Sequence, residues 1–429
     1  HDAGTVQFYC LDFGGGALAA LRDLPHVGCV AGRLEAELCR RTVAHLDGVL
    51  RDREENPRAD TDPDVFLVVD GWSTVRSEFD VLEAAITALA ARGLSYGVHV
   101  VLTASRWADL RPALKDQLGT RIELRLGEPA ESEMDRRRAR ELSTAPAGRG
   151  LTRDGHLMAI ALPGTSHIPA QAGGSRAPRV ELLPNTVHFD AISAGSRLPG
   201  GLLLGLRERD LGAAVLDVID HPHLLILGDG ESGKTALLRT VCTDLVRTHT
   251  PQEVALELVD YRRTLLGVVE TDHLAGYSAS PVALESRLSA LTARLTARMP
   301  DEHVTQRALR DRSWWTGPEI YVVVDDYDLV AGATGNPLTP LADFLPHAKD
   351  LGLHVVIARR SGGAARAMFD PVLTRLREMG CSGFMMSASP EEGTLLGSTR
   401  PAPLPRGRGV LSVRGRADEL IQVGWLDPP

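Results

Sequence analysis

Glycine at 228, 230 and 233, followed by Lys234 and Thr235, gives the run Gly228, Asp229, Gly230, Glu231, Ser232, Gly233, Lys234, Thr235 the residue types that wrap an anion. Glycines let backbone N–H groups turn inward around a phosphate, and the start of a following helix adds partial positive charge. At this spacing Lys234 is expected to reach the β- and γ-phosphates of a nucleoside triphosphate. The Thr235 hydroxyl is expected to hold Mg²⁺.

Acidic groups downstream would complete such a site. The apolar run from Tyr321 ends in Asp325 and Asp326. Asp325 is expected to hold Mg²⁺, directly or through water, because a hard cation takes oxygen ligands. Asp326 stands where a carboxylate would activate water, the alternative being a capping or solvated acid. An aspartate reaches less far than a glutamate, so slow hydrolysis is expected. Arg359 and Arg360 follow the apolar stretch that begins at His354. They are candidates to clamp phosphate or to face a neighbouring subunit, against a plain reading as cations near a sheet edge.

His223–Leu227 reads as a short buried strand before the loop, and Ala236–Val246 has its apolar side chains at helical spacing after it. Asp80–Gly93 is expected to be an amphipathic helix, with Val81, Leu82, Ala85, Ile86 and Leu89 on one face and Gly93 as its cap. Leu341, Phe344, Leu345, Ala348 and Leu351 repeat that stripe. His99 and His354 open equivalent strands and read first as hydrogen-bonded core residues. Ala104, Ser105 and Arg106 follow the earlier strand as a polar sensor and an arginine. Asp135–Arg140 is acid-led and helical in pattern, which favours a solvated helix face over a nucleic-acid patch. Trp314 and Trp315, in a Pro/Gly-flanked loop, read as a partner anchor or as half-buried packing.

The chain also repeats itself at long period. Val6–Asp12 matches Val254–Asp260, Asp64–Asp70 matches Glu319–Asp325, Leu94–Val101 matches Lys349–Val356, and Gly148–Gly150 matches Gly407–Gly409. Ordered matches at a nearly constant offset mean a duplicated domain. Apolar strands alternating with amphipathic helices predict an α/β fold of mostly parallel sheets with helices on both faces. The expected domains are 1–163, a linker at 164–179 rich in Gly, Pro, Ser and Ala, and 180–429. Only the second copy contains the phosphate loop. In the first its counterpart would lie before residue 1, so that copy is expected to be N-terminally incomplete. There Asp70 precedes Gly71, leaving no second carboxylate.

Composition narrows the classes. With 429 residues and 43% hydrophobic content the chain can build two or three cores. A net charge of −9 argues against wrapping nucleic acid. The five cysteines are scattered without metal-binding or disulfide-framework spacing, fitting a reducing cytosolic setting. No apolar run approaches the ~20 residues of a bilayer span, and no signal peptide is visible. The chain opens at His1 rather than Met, as part of something longer would.

These motifs, in this order, resemble the FtsK-like translocase ATPases. The chain is most similar to the EccC family of type VII (ESX) secretion, through Gln7–Gly16, Leu24–Gly28, Arg92–His99, Ala104–Trp107, Leu110–Lys115, Gly119–Leu126, Gly148–Thr152 and Gly228–Thr235. The resemblance implies tandem P-loop (RecA/FtsK-like) ATPase domains, the last two of the three in that family, binding ATP and Mg²⁺ more than turning ATP over. It implies a cytoplasmic location at the inner face of the cell membrane, attached to a membrane-embedded secretion complex. It further implies recognition of small helical secreted substrates through a C-terminal signal, and it admits ring-like self-assembly; no nucleic-acid partner is expected, from the net charge of −9. The rival readings are a DNA-pumping motor and an ATP-locked scaffold without turnover.

Overall fold

Short, near-continuous apolar runs form the strands of both halves, which is the pattern of sheets covered on both faces. The computed structural model describes residues 2–56, 59, 61–162, 175–194, 200–332, 335–397 and 399–429. Contacts divide the chain into two units, His1–Leu182 and Leu183–Pro429.

In the first unit β1 (Val6–Asp12), β2 (Val27–Gly32), β3 (Asp64–Asp70) and β4 (Val98–Leu102) make a wholly parallel sheet in the order β2-β1-β3-β4. Helices α1 (Ala36–Glu55) and α2 (Asp80–Arg92) bury Leu46, Leu50, Ile86 and Leu89 against Leu11, Leu67 and Val69 of the strands. Each such side chain contributes ~1.5–3 kcal/mol by leaving water. A separate antiparallel sheet holds β5 (Ile122–Leu124), β6 (Arg149–Thr152) and β7 (Leu157–Ala159).

The expected stripe on α2 needs correction at its start, where Val81 is 76% exposed. Gly93 caps the helix as expected, its N–H donating to the Leu89 carbonyl, though with a right-handed backbone. It also packs closely, since a Cβ there would sit 2.6 Å from the Val98 carbonyl oxygen. The left-handed residue is Gly97, at φ 67°. Most of the expected linker lies outside the described residues. Its last part is laid on the first unit: the Ala177 N–H donates to the Pro25 carbonyl at 2.8 Å and the Tyr9 hydroxyl to that of Pro178 at 3.1 Å. Val180, expected in the second domain, packs against the first unit's core, so the division falls after Leu182.

The second unit adds β8 (Val187–His188), β9 (Gly201–Arg207), β10 (Ala213–Asp217), β11 (His223–Gly228), β12 (Val254–Val259), β13 (Leu274–Ser278), β14 (Glu319–Val324), β15 (Leu353–Arg360), β16 (Ser382–Met386), β17 (Arg408–Ser412) and β18 (Glu419–Trp425). One sheet runs β10-β9-β18-β17-β16-β11-β15-β14-β12-β13, with β8 beside β18. From β16 to β13 every pairing is parallel; from β16 to β10 every pairing is antiparallel. Helices α3 (Lys234–Thr248) and α4 (Pro281–Arg298) cover opposite faces, α3 over Leu256, Leu258 and Val323, α4 over Val259, Ile320 and Val322.

The duplication is written in the registers. Val6 faces Asp64 and Phe66 faces His99, just as Val254 faces Glu319 and Tyr321 faces His354. The order β2-β1-β3-β4 recurs as β13-β12-β14-β15. Among the described residues the first unit has no counterpart of β11, and its strands fall into two sheets where the second unit has one. The helix expected over 341–351 is instead two 3₁₀ turns, Thr339–Asp343 and Leu345–His347, and a single turn, Ala348–Leu351. Pro340 and Pro346 supply no N–H to a continuous helix, yet Leu341, Leu345, Ala348 and Leu351 still reach the core.

Candidate nucleotide site

Strand β11 is buried along its whole length and ends at Gly228, with β15 and β16 on either side. The chain must then turn sharply into α3. Gly233 makes that turn at φ 112°, and a Cβ on it would sit 3.0 Å from the Gly407 backbone. At Gly228 a Cβ would collide with Ser232 Oγ at 2.5 Å. These two glycines are therefore required by geometry. Glu231 also takes a left-handed backbone, at φ 59°, and its carboxylate meets Arg406.

Lys234 opens α3 with its side chain folded over the loop, Nζ donating to the carbonyls of Gly228 at 3.0 Å and Asp229 at 2.7 Å. Burial pulls its pKa down, against the opposing pull of Asp326 and Asp325. Thr235 Oγ donates to Asp325 Oδ2 at 2.7 Å, across the strand ends. Asp325 is 1% exposed. Its other oxygen accepts from the Asp326 N–H at 2.9 Å.

Asp326 sits at φ 44°, a left-handed backbone, and lines the same cavity as Lys234 and Thr235. Burial, then the neighbouring Asp325, raises its pKa. Asp326 Oδ2 pairs with Arg262 Nε at 3.0 Å. These groups open onto a cavity of about 960 Å³ that runs from Gly230, Lys234 and Thr235 past Arg262 and Arg360 to Asn185, Gln422 and Trp425.

The two arginines separate. Arg360 lines the cavity. Arg359, expected at the phosphates as well, is not brought there: side chains alternate along β15, and its guanidinium turns inward to the carbonyl of Arg360 at 2.6 Å. The loop is instead braced by Ser361, fully buried, whose N–H donates to the Gly228 carbonyl at 3.1 Å and whose hydroxyl meets the Asp229 carboxylate.

Thr264 was not foreseen. Its hydroxyl donates to Asp325 Oδ2 at 2.8 Å, beside that of Thr235, and its carbonyl accepts from Arg239 of α3 at 2.7 Å. Asp260 anchors this segment by accepting from the Leu265 N–H at 2.7 Å and the Tyr277 hydroxyl at 2.8 Å. Arg262 belongs to the same segment. The segment directly follows β12, a parallel strand next to the sheet edge with Asp260 just past its end, where loops of parallel sheets carry their sites.

The remaining candidates lie elsewhere. His354 Nε2 donates to Glu319 Oε2 at 3.1 Å and the ring stacks on Tyr321 at 4.2 Å, at the strand's far end from the loop. His99 repeats this with Asp64 at 3.2 Å and Phe66 at 4.6 Å. Both are packing residues. The Trp314 and Trp315 indoles donate to the carbonyls of Arg298 and Asp350, each at 2.7 Å, and Arg298 lies 3.9 Å over the Trp315 ring. Asp135 caps the helix Arg136–Leu142 through the N–H groups of Arg137 and Arg138 at 2.9 and 3.1 Å. Arg106 pairs with Asp109 at 3.2 Å, while Thr103 supplies the polar contact to Asp70 at 2.6 Å.

The FtsK/SpoIIIE family model matches residues 1–166 and 204–360. The chain is 53% identical over its whole length to the ESX-4 secretion system protein EccC4 of Mycobacterium tuberculosis, covering 36% of that protein. It is 43% identical to the ESX secretion system protein EccC of Thermomonospora curvata, covering 35% of it. It thus spans about a third of the length of these curated relatives. The ESX-1 secretion system protein EccCb1 of Mycolicibacterium smegmatis is 34% identical, with 80% of its length covered. Among solved structures, Thermomonospora curvata EccC (ATPases 2 and 3) in complex with a signal sequence peptide superposes with a TM-score of 0.86 at 42% identity, over 100% of this chain and 83% of that one.

Proposed function

Because the chain belongs to the FtsK/SpoIIIE family, and within it to the EccC proteins of ESX secretion systems, we propose that it is a nucleotide-dependent coupling component of protein export, binding ATP with Mg²⁺ in its second unit. The observation that carries this reading is the meeting of Thr235 Oγ and Asp325 Oδ2 at 2.7 Å beneath a complete phosphate loop. The donors suit Mg²⁺: hard oxygens of Thr235 and Asp325, with room for phosphate oxygens and water. Among the described residues no group of three or more His, Cys, Asp or Glu could hold a metal, which fits an ion bound mainly through its nucleotide. When bound, Mg²⁺ would neutralise charge developing on the phosphates.

The residues then divide the work. Backbone N–H groups of the loop hold the phosphates, and Lys234 turns from the carbonyls of Gly228 and Asp229 toward them. Asp326 accepts a hydrogen bond from the attacking water, and ATP and water yield ADP, phosphate and a proton. Among the described residues no helix is long and apolar enough to cross a membrane. We place the chain at the cytoplasmic face of the cell membrane, docked on a membrane-embedded complex, where it receives small helical substrates by a C-terminal signal.

That last step is supported by the signal sequence peptide bound to the Thermomonospora relative. It is tested by titrating a labelled C-terminal peptide of a small helical ESX substrate with and without ATP·Mg²⁺. The expected result is tighter peptide binding with nucleotide, and by linkage an equal tightening of nucleotide by peptide. Equal peptide affinities in both conditions would refute coupling, and no binding in either would refute the substrate role.

A further inference from the structure

Two positions differ together between the units. The registers pair Asp12 with Asp70 and Val259 with Val324, so Asp260 and Asp325 follow as the matching pair. On that alignment Gly14 stands where the second unit has Arg262, and Gly71 where it has Asp326. In the first unit the two glycines lie against each other. A Cβ on Gly71 would come 3.1 Å from the Gly14 nitrogen, and one on Gly14 would strike the Asp70 carboxylate at 2.0 Å. In the second unit the same two positions carry side chains that meet as the 3.0 Å ion pair. The backbone at the second position is left-handed in both, φ 88° at Gly71 and 44° at Asp326. An L residue takes that conformation only at a cost.

Resting on the nucleotide reading above, we propose that Arg262 is a positioning residue that senses a triphosphate. It exchanges Asp326 for the terminal phosphate, and so frees an Asp326 oxygen to accept a hydrogen bond from the attacking water. Three features support the exchange. Arg262 and Asp326 line the same cavity as Lys234 and Thr235. The Asp326 side chain is 14% exposed, whereas that of Arg262 is 44% exposed and has room to swing. A terminal phosphate offers the guanidinium fork more acceptor oxygens and more charge than a single carboxylate. A diphosphate ends one group short, so with ADP Arg262 stays on Asp326.

The test is calorimetric titration of the full chain with ATP·Mg²⁺ and with ADP·Mg²⁺. Arg262→Ala is expected to weaken ATP roughly ten- to a hundredfold, the loss of one charge-assisted contact, and to leave ADP within about twofold. Arg262→Lys keeps the charge without the fork and should fall between. Asp326→Asn removes the competing partner and should leave ATP affinity equal or tighter. Equal weakening of ATP and ADP by Arg262→Ala, or no weakening of ATP, would overturn the exchange. Lys234→Ala separates this from the parent reading. If it weakens both nucleotides while Arg262→Ala changes neither, the exchange alone fails. If wild type binds neither nucleotide, or Lys234→Ala leaves ATP binding unchanged, the nucleotide site itself fails and the exchange with it.

Discussion

At position 326 the backbone and the chemistry pull in opposite directions, and a single substitution separates them. A left-handed conformation at an L residue costs about 1–2 kcal/mol, less for Asp than for most. The first unit uses glycine at the matching position, Gly71 at φ 88°. Asp326→Gly should therefore relieve strain while removing the carboxylate placed to orient water. Its ion pair with Arg262 lies on a partly exposed arginine, so little stability is lost with it. The expected outcome is a denaturation midpoint equal to or above wild type, with single-turnover ATP hydrolysis reduced to background. Wild type itself should turn over well below the enzyme median of ~10 s⁻¹. A variant that hydrolyses at the wild-type rate would remove Asp326 from the reaction.

Strand β11 does two jobs: its end presents the loop, and its start buries a histidine. His223 is 3% exposed, and its Nδ1 accepts from the Val355 N–H at 3.1 Å. Burial, with His354 beside it, holds the imidazole down at about 3. The folded pKa is depressed, so the neutral ring's contribution is present above the unfolded value of ~6.5 and is lost as pH falls from there toward 3. Stability should decline by about 1.4 kcal/mol per pH unit in that window from this group alone. His223→Asn keeps an acceptor for Val355 and removes the titration. Urea denaturation between pH 6 and 4 should show a slope shallower by about that amount, and an unchanged slope would mean that His223 does not carry it.

Elements of this kind were legible where the signal is local. The buried run at 223–227, the glycines and the apolar spacing after Thr235 lie within a few turns of chain, and so does the acid-ended run at Asp325. Arg359 was misplaced because one residue of strand register decides which side chain faces the cavity. Thr264 and Arg262 reach the loop only through the pairing of β12 with β14, which no local pattern encodes. The turns at 339–347 show the reverse: the apolar period was right, but Pro340 and Pro346 overrode it.

For the whole molecule, charge and division matter more than any one contact. A net charge of −9 has the wrong sign for a phosphate backbone, which disfavours a DNA-pumping role. Each unit has its own core, around Leu11, Leu67 and Ile86 in the first and around Leu225, Leu256 and Val323 in the second. The phosphate loop belongs to the second alone among the described residues. A ligand that binds only the folded state stabilises it by RT ln(1 + [L]/Kd), ~2.7 kcal/mol at a hundredfold excess over Kd. For a domain of this size that corresponds to a rise of roughly 5–10 °C in Tm. Calorimetric melting should therefore resolve a transition that moves up by this amount with ATP·Mg²⁺ and another that stays fixed, and Lys234→Ala should shrink the movement. If both transitions moved together, nucleotide in the second unit would be stabilising the first as well, and the two would have to be treated as one cooperative body.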